Sequence, residues 1–365
     1  MHRGPIAEID LFALQHNLQI MRSMAGTRDV IGVVKADAYG HGSIEVARRL
    51  VAGGTAGLAV AYTDEAKLLR EAGITVPILV FIDQETPEDY IRYDLVPVLR
   101  DRGAVRVFSS AAQKRGTAIP VHMKVDTGMG RIGFRPEQAV ESALEMAGLE
   151  GIRLEGLMSH FSEADLADRT YAKQQLKIFG DLRDAIQFRT GLNLRCHIAN
   201  SAAVLSMPDA LFDAVRPGIA LYGYSPFEES FGLRPVLSLR SKVLAVRNLP
   251  AASPVSYGRT FVTKRDSRIA VIPVGYADGY NRLFSNNAEM LVQGCRVPVV
   301  GRVCMDMTML DVTDVPNVSE GDEAVILGRQ GEEMITAAEL AARINTIPYE
   351  ILTSLGTRAR KAYIN

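Results

Sequence analysis

A lysine at the end of an apolar run is the first residue in this sequence that could carry chemistry. The run Val30–Val34 ends at Lys35, and a loop with Tyr39, Gly40 and Gly42 follows. Four to eight apolar residues bounded by turn signals predict a buried strand. Burial favours the neutral form of an amine, so a lysine here is suited to attack an aldehyde, and the loop could hold a phosphate. A lysine that simply extends to solvent is the competing interpretation.

Polar side chains also follow other predicted strands at their carboxyl ends. Taken singly, they have structural interpretations, such as a glycine-rich turn, a core histidine, a helix N-cap at Ser201 or an ion pair from Arg216. At one end of one sheet they would instead form a site for a ligand that bears a phosphate. The polar side chains are Lys124, Asp126 and Arg131 after Ile119–Val125, His160 after Leu154–Met158, Asn200 and Ser201 after Leu194–Ile198, and Arg216 after Phe212–Val215. The backbone N–H groups of Gly218 and Ile219 could donate to the same phosphate.

The elements that would position these residues alternate regularly along the first two thirds of the chain. Short strands and helices follow one another from Ile6–Leu11 to Phe212–Val215. This alternation predicts a parallel sheet with right-handed crossovers. About eight such units favour a closed TIM-type (β/α)8 barrel, whose usual size is about 250 residues. A doubly wound open sheet is the alternative, although no GxGxxG motif follows an early strand.

The pattern changes near Gly232. From Val236 onward, short β-type runs are separated by Gly, Pro, Asp and Asn, and only Thr336–Asn345 and Pro348–Leu355 are typical of helices. This spacing predicts a mainly-β domain. We therefore expect an α/β protein in which residues 1–232 form the barrel and residues 233–365 form a C-terminal β-rich domain.

Composition excludes several classes of function. The chain has 365 residues, is 47% hydrophobic and carries a net charge of −1, which gives no support to a nucleic-acid or membrane partner. It has no apolar stretch of membrane-spanning length and no signal-peptide core. Its three cysteines and six histidines show no CxxC or HExxH spacing, so we expect no metal. A cytoplasmic protein with reduced cysteines is the expectation.

Seven segments in both predicted domains resemble segments of the alanine racemases. The first resembles the site at which those enzymes attach pyridoxal phosphate. The resemblance implies a fold-type III pyridoxal-phosphate enzyme that interconverts L-alanine and D-alanine, with Lys35 as the residue that bears the cofactor. The seven segments are VVKADAYGHG, VDTGMGRIGF, HIANSAA, RPGIALYG, PVSYGRTF, VGYADGYNR and VCMDMT.

The same resemblance implies a cofactor site. Pyridoxal phosphate needs a Schiff-base lysine, donors for its phosphate and a partner for its ring nitrogen. Arg216 takes the place of that partner, where related decarboxylases have a glutamate. An arginine cannot give up its proton, so it donates to an unprotonated ring nitrogen and leaves the cofactor a weaker electron sink. The other implied cofactor-binding residues are Tyr39, His160, Asn200, Ser201, Gly218, Ile219 and Tyr349.

Racemisation requires proton removal on one face of the substrate and proton delivery on the other. Two bases on opposite faces do this without moving the substrate. By resemblance, Lys35 serves the D side and Tyr257 the L side of a substrate held as an aldimine. In the family the tyrosine is linked through the equivalent of His160 to that of Arg216.

The resemblance also assigns substrate-binding residues and an assembly. Arg131 and the backbone of Met305 would bind the carboxylate of alanine, and Tyr276, together with Tyr349, would narrow the pocket. Lys124 matches a lysine that is often carbamylated, whose new charge would hold Arg131. The family forms head-to-tail homodimers in which one subunit's tyrosine meets the other's lysine, and it supplies D-alanine for peptidoglycan.

Three other functions remain open from the residues alone. A broad-specificity amino-acid or serine racemase on the same fold differs only in the size of its pocket. A non-catalytic pyridoxal-phosphate carrier would lack the β-rich domain that contains Tyr257. An amino-acid decarboxylase would be expected to have a carboxylate where this chain has Arg216.

Overall fold

The computed structural model describes residues 4–365, which form two compact units. The barrel unit comprises Leu14–Ala38 and Ser43–Leu233. The β unit comprises Tyr39–Gly42, Arg234–Asn365 and the described residues up to Ala13. The division at residue 232 that the sequence suggests remains a prediction.

The barrel unit contains an eight-stranded sheet in which every pairing is parallel. Neighbouring strands follow the order of the chain, and the last strand pairs with the first at Asp29–Ala214 and Val30–Val215. The strands are Asp29–Val33, Gly57–Val60, Ile78–Val80, Val96–Leu99, Ile119–Lys124, Ile152–Met158, Arg195–His197 and Ala214–Val215.

Two separate backbone hydrogen bonds link the seventh strand and its following residues to the residues that flank the eighth strand. The Asp213 N–H donates to the Cys196 carbonyl (3.1 Å), and the Arg216 N–H donates to the Ala199 carbonyl (2.9 Å). The sheet is therefore nearly closed, which confirms the predicted (β/α)8 barrel. In such a barrel the carboxyl ends of all strands meet at one face.

Helices separate the strands of the barrel unit. The helices in this part of the chain are Leu11–Ala25, Ser43–Ala52, Thr63–Glu71, Pro87–Arg92, Arg102–Lys114, Pro136–Gly148, Thr170–Thr190 and Ser201–Ser206, with 3-10 turns at Pro208–Ala210 and Ile219–Tyr222.

The sequence pattern gives no helix between Leu99 and Ile119, whereas the structure has one at Arg102–Lys114. Asp101 caps it by accepting a hydrogen bond from the Ala104 N–H (2.8 Å). Its buried face consists of small and apolar residues among many polar ones. Such a mixed composition weakens the helical signal, and packing on the barrel decides the structure instead.

The β unit is built on a seven-stranded mixed sheet, which confirms the mainly-β expectation. Six of its strands lie in the order Cys295–Pro298, Glu289–Val292, Glu323–Gln330, Leu237–Lys242, Ile6–Asp10 and Arg360–Ile364, and Glu333–Ile335 pairs with Glu323–Gln330. The remaining elements are the strands Ala245–Leu249, Ser267–Ile272 and Thr308–Asp311, the hairpin Pro254–Val255 and Phe261–Val262, the helices Ala337–Arg343 and Pro348–Ser354, and 3-10 turns at Tyr257–Arg259, Tyr276–Asp278 and Arg282–Phe284.

The first strand belongs to the β unit and not to the barrel alternation in which the sequence pattern places it. Ile6–Asp10 pairs antiparallel with Leu237–Lys242 and parallel with Arg360–Ile364. Its residues alternate between buried and half-buried positions, whereas Gly57–Val60 and Val96–Leu99 are buried throughout. Alternation suits a sheet with one covered face, and continuous burial suits a barrel.

Candidate active site

A left-handed turn follows the first barrel strand and presents Lys35. Ala36, Asp37, Ala38 and Tyr39 have φ values of 53, 51, 54 and 55°. This conformation costs about 1–2 kcal/mol for each residue other than glycine, so the surroundings must compensate for it.

Two carboxylates hold this turn by accepting backbone N–H groups. Glu65 Oε1 accepts from the Ala36 N–H (2.5 Å), and Glu65 Oε2 accepts from the Ala61 N–H (2.7 Å). Asp37 Oδ1 accepts from the Ser43 N–H (2.7 Å). The turn is therefore fixed from both sides, and Lys35 stands at its start.

The Lys35 amine forms no ion pair or hydrogen bond with any residue in the described range 4–365. Burial and the positive charge of Arg131 lower its pKa, and Glu65 opposes this shift. The neutral amine that nucleophilic attack requires is thus more accessible than for an exposed lysine.

Arg216 lies buried at the end of the eighth strand and is bound by neutral acceptors. Its Nη1 donates to His197 Nδ1 (2.7 Å) and to the His197 carbonyl (2.8 Å). Its Nη2 donates to the Ser159 carbonyl (2.7 Å) and lies near the Ile198 carbonyl (3.2 Å) and His160 Nδ1 (3.4 Å). Four of the five N–H groups are thereby occupied, and the Nε–H donates to no described residue.

The Arg216 guanidinium keeps its charge in this position. Burial lowers the pKa of Arg216 to about 9, which still leaves it protonated at neutral pH. Burial and the neighbouring charges of Arg216 and Lys124 hold the pKa of His160 well below its usual value, so His160 is neutral. The site therefore offers one charged N–H donor beside an uncharged imidazole.

Lys124 ends the fifth barrel strand with its amine buried. Burial, Arg216 and Arg131 lower the pKa of Lys124 to about 7, while Asp126 opposes the shift. A large fraction of this amine is therefore unprotonated at neutral pH.

The loop that carries Arg131 is organised by one carboxylate. Asp126 Oδ1 accepts from the N–H groups of Gly128 (2.9 Å), Met129 (2.7 Å) and Gly130 (3.1 Å), and Oδ2 accepts from the Arg131 N–H (2.8 Å). Burial alone would raise the pKa of Asp126, but these four donors outweigh it and hold the pKa below 3.8. The Arg131 side chain is exposed at the end of this loop.

Backbone donors gather after the seventh and eighth strands, where barrels commonly bind phosphate. Asn200 is the cap of the helix Ser201–Ser206, so the N-cap expected at Ser201 lies one residue earlier. The Ser201 hydroxyl accepts from the N–H groups of Gly218 (2.9 Å) and Ala220 (3.3 Å), which ties the two loops together. The N–H groups of Ser201 and Ile219 donate to no acceptor in the described chain.

In the β unit, Tyr39 and Tyr349 lie together. Their ring centroids are 6.0 Å apart with a tilt of 45°. Burial and the neighbouring Tyr349 raise the pKa of Tyr39 above its usual value, so its hydroxyl stays protonated and can donate.

The β unit also brings Tyr276 next to Met305. The Tyr276 N–H donates to the Cys304 carbonyl, and the Ala277 N–H donates to the Met305 carbonyl, both at 3.0 Å. A Cβ at Gly275 would lie 2.3 Å from each of these carbonyl oxygens, so only glycine permits this close approach.

Tyr257 is connected to the same loop. The hydroxyl of Ser256, its neighbour, donates to the Arg302 carbonyl (2.6 Å). Tyr257 is 69% exposed, Met305 54% and Tyr276 42%, so all three side chains stand open on the β unit.

Two models of known protein domains match this chain. A family model described as alanine racemase, N-terminal domain, matches residues 9–226, and one described as alanine racemase, C-terminal domain, matches residues 236–363. This chain belongs to the alanine racemase family. The resemblance in sequence is thereby confirmed, and with it the expectation of a family of pyridoxal-phosphate-dependent isomerases.

Relatives match over the whole length. An alanine racemase of Thermodesulfovibrio yellowstonii is 48% identical over 100% of this chain and 99% of that protein. The structure of the alanine racemase of Streptomyces lavendulae has a TM-score of 0.95 at 34% identity and covers 100% of this chain and 98% of the other. The alanine racemase of Bartonella henselae with covalently bound pyridoxal phosphate has a TM-score of 0.89 at 30% identity, with 99% of both chains covered.

Several residues of the site carry no clear sequence signal. Glu65 holds the left-handed turn by accepting from the Ala36 N–H, which is 29 residues away in the chain. His197 and His122 lie behind Arg216. His197 is 19 residues from Arg216, and His122 is 75 residues from His197. Asp126 has a local signal, because an aspartate followed by a glycine-rich segment is typical of a turn in which the carboxylate accepts backbone N–H groups. Within residues 4–365, no three histidine, cysteine or acidic side chains cluster as metal ligands, and no helix has the length and apolarity to cross a membrane.

We predict that Asp126→Asn loosens the loop at Gly128–Arg131. An amide nitrogen cannot accept the N–H groups that one carboxylate oxygen binds, and a hydrogen bond to a charged group contributes about 1.5–3 kcal/mol. Amide exchange of these residues, measured by mass spectrometry, should become at least about tenfold faster.

The control is Asp209→Asn, which removes an exposed carboxylate that binds no other residue in the described part of the chain. Because the folded pKa of Asp126 is depressed, the protection should persist at pH 5 and be lost only as the pH falls through that lowered pKa. Unchanged exchange in Asp126→Asn would contradict the role given to this carboxylate.

Proposed function

We propose that this protein interconverts L-alanine and D-alanine with pyridoxal phosphate as cofactor. The observation that carries the proposal is the buried Arg216, whose remaining Nε–H suits a neutral ring nitrogen, at the same end of the barrel as the Lys35 amine. A donor that stays protonated limits electron withdrawal by the ring, which favours racemisation over competing reactions.

The residues of the barrel unit fit the cofactor. Lys35 supplies the amine that links to its aldehyde, and Arg216 supplies the donor to its ring nitrogen. The N–H groups at Ser201 and Ile219 supply donors for its phosphate, with Asn200 and Gly218 shaping the loops. When bound, the cofactor supplies the electron sink that acidifies the α-hydrogen of an amino acid.

Two phenol groups, those of Tyr39 and Tyr349, are also assigned to the cofactor in this proposal. Tyr39 keeps its proton because of burial, and it is therefore suited to donate to a phosphate oxygen. Tyr349 packs against it and would limit the width of the pocket.

Two proton-carrying groups are assigned to opposite faces of the substrate. Lys35 is assigned to the D side, and burial together with Arg131 lowers the pKa of its amine, which favours the neutral form that can accept a proton. Tyr257 acts on the L side, and the neutral His160 connects it to Arg216. Arg131 and the Met305 N–H bind the substrate carboxylate.

The exposure of Tyr257, Tyr276 and Met305 supports a head-to-tail homodimer. Three groups of one catalytic site would not be expected to stand open to solvent unless another surface covers them. In this assembly the β unit of one subunit supplies its Tyr257 to the lysine of the other.

Alanine is favoured over larger substrates by the two tyrosines Tyr276 and Tyr349. A broad-specificity or serine racemase remains the second candidate, because it requires only a wider pocket. The cellular role that we propose is the supply of D-alanine for peptidoglycan in the cytoplasm. A bacterium that requires added D-alanine should grow without it when it carries this gene.

The first prediction from the proposed function concerns the products of the reaction. Purified protein with pyridoxal phosphate receives L-alanine, L-serine or a larger L-amino acid, and the D-enantiomer is quantified by chiral chromatography. A small pocket discriminates by steric exclusion, so D-alanine should exceed every other product by at least about tenfold. Comparable D-serine would favour the broad-specificity enzyme. No D product, with cofactor bound, would favour the carrier or the decarboxylase.

A second prediction tests the two bases and the shared site together. Lys35→Ala chains and Tyr257→Phe chains should each lack racemase activity, because each lacks one base. When they are unfolded and refolded together, hybrid dimers regain one complete site, and about a quarter of the wild-type activity should return.

The Tyr257→Phe protein also tests which base acts on which face of the substrate. It should still exchange the α-hydrogen of D-alanine with deuterated solvent but not that of L-alanine. Tyr93→Phe is the matched control, since its phenol faces Glu71 on the surface of the barrel unit. Equal loss of exchange from both enantiomers, or no recovery on mixing, would contradict this assignment.

A third prediction concerns Lys124. Its amine has a pKa of about 7 and lies close to two arginines, so we propose that it reacts with carbon dioxide to form a carbamate that holds Arg131. Protein supplied with 13C-bicarbonate should show a carbamate carbon resonance. Lys124→Ala should lose this signal and Lys35→Ala should retain it. A signal that survives Lys124→Ala would place the carbamate elsewhere.

A further inference from the structure

Two buried histidines stand in a line behind Arg216. Arg216 Nη1 lies 2.7 Å from His197 Nδ1, and His197 Nε2 lies 2.7 Å from His122 Nδ1. Both imidazoles are buried, His197 at 0% exposure and His122 at 4%. Neither residue belongs to the catalytic set proposed above.

The direction of the hydrogen bonds fixes both tautomers. A guanidinium has only donors, so His197 Nδ1 must accept, and the proton of His197 lies on Nε2. That N–H donates to His122 Nδ1, which places the proton of His122 on Nε2. A second proton on either ring would set two donors against each other, so both rings are neutral.

The electrostatic surroundings agree with this assignment. The titratable side chains that face the two rings are Arg216, Arg195 and Lys124, and none of them is an acid. Burial and these cations lower the pKa of His122 to about 3 and hold that of His197 well below its usual value.

A bulge in the sixth barrel strand leaves room for the His122 ring. Val121 pairs with Leu154 but His122 pairs with Gly156, so the sixth strand has a bulge at Glu155. A Cβ at Gly156 would lie 2.4 Å from His122 Nδ1, and only the bare backbone leaves room for the ring. Bulges of this kind commonly redirect side chains near active sites.

We propose that His122 and His197 are positioning residues that hold the Arg216 guanidinium in one orientation through a chain of fixed neutral tautomers. His122 orients the His197 ring, and His197 Nδ1 occupies one Nη1 hydrogen, so that the Nε–H of Arg216 remains for the ligand. The effect on turnover rests on the proposed function, whereas the tautomers do not.

Nuclear magnetic resonance tests the tautomers without reference to activity. Protein with 15N-labelled histidine and saturating pyridoxal phosphate is titrated from about pH 6 to 9, the range in which an ordinary histidine changes charge. His122 and His197 should both show the Nε2–H form and no titration. The variants His122→Asn and His16→Asn assign the signals. Titration of either ring, or an Nδ1–H form of His197, would overturn the proposal.

Two matched variants test the positioning. His122→Asn keeps an oxygen acceptor near the Nδ1 position, whereas His122→Leu keeps the bulk and removes the acceptor. His122→Leu should lower kcat by about tenfold, a loss typical of one buried hydrogen bond, with KM changed less. His122→Asn should restore most of kcat. Equal kcat in His122→Leu and wild type would overturn the proposal.

The wild-type spectrum decides the question even where His122→Leu does not fold. A protein without racemase activity whose histidines show these tautomers would contradict the proposed function and support the positioning role of His122 and His197. A racemase whose His197 titrates would support the proposed function and contradict the positioning role.

Discussion

The burial of one guanidinium without a carboxylate partner is the constraint on which the rest of the site depends. A buried arginine usually pairs with an acid, because an isolated charge is costly to remove from water. Arg216 instead receives carbonyl oxygens and a neutral imidazole. These acceptors spread the charge over dipoles without cancelling it. The guanidinium thus stays a strong donor, and a neutral imidazole beside it adds no further positive charge.

The left-handed turn after Lys35 meets a second constraint, which is that a ligand must be able to reach the Lys35 amine. Four residues with φ near 50° turn the chain sharply while Lys35 remains at the strand end. The strain is compensated by Glu65 and Asp37, whose carboxylates accept backbone N–H groups. The same Glu65 moderates the pKa of Lys35, so geometry and proton affinity are set together.

Sequence reasoning recovers the barrel and the strand-end residues, because periodicity and turn residues are local signals. It fails where a long-range contact decides the outcome. Ile6–Asp10 precedes a helix, as a barrel strand would, yet it pairs with strands more than 200 residues away. His122 lies between apolar residues of a strand, a context typical of a core side chain, and only the bulge at Glu155 and the bare Gly156 show why it is there. Glu65 acts on a turn 29 residues away, which no local pattern reports.

The charge pattern also explains which groups carry protons. Lys35, Lys124, Arg131 and Arg216 lie at one end of the barrel, and the two carboxylates beside them, Glu65 and Asp126, are already engaged by backbone N–H groups. Loss of protons relieves the mutual repulsion of the four cations, and amines lose protons far more readily than guanidinium groups. The lysines are therefore shifted toward the neutral, reactive form, while the arginines remain fixed donors for anions. A phosphate, a substrate carboxylate and a carbamate would each lower the remaining repulsion, so the excess of positive charge at this end of the barrel favours ligands that carry negative charge.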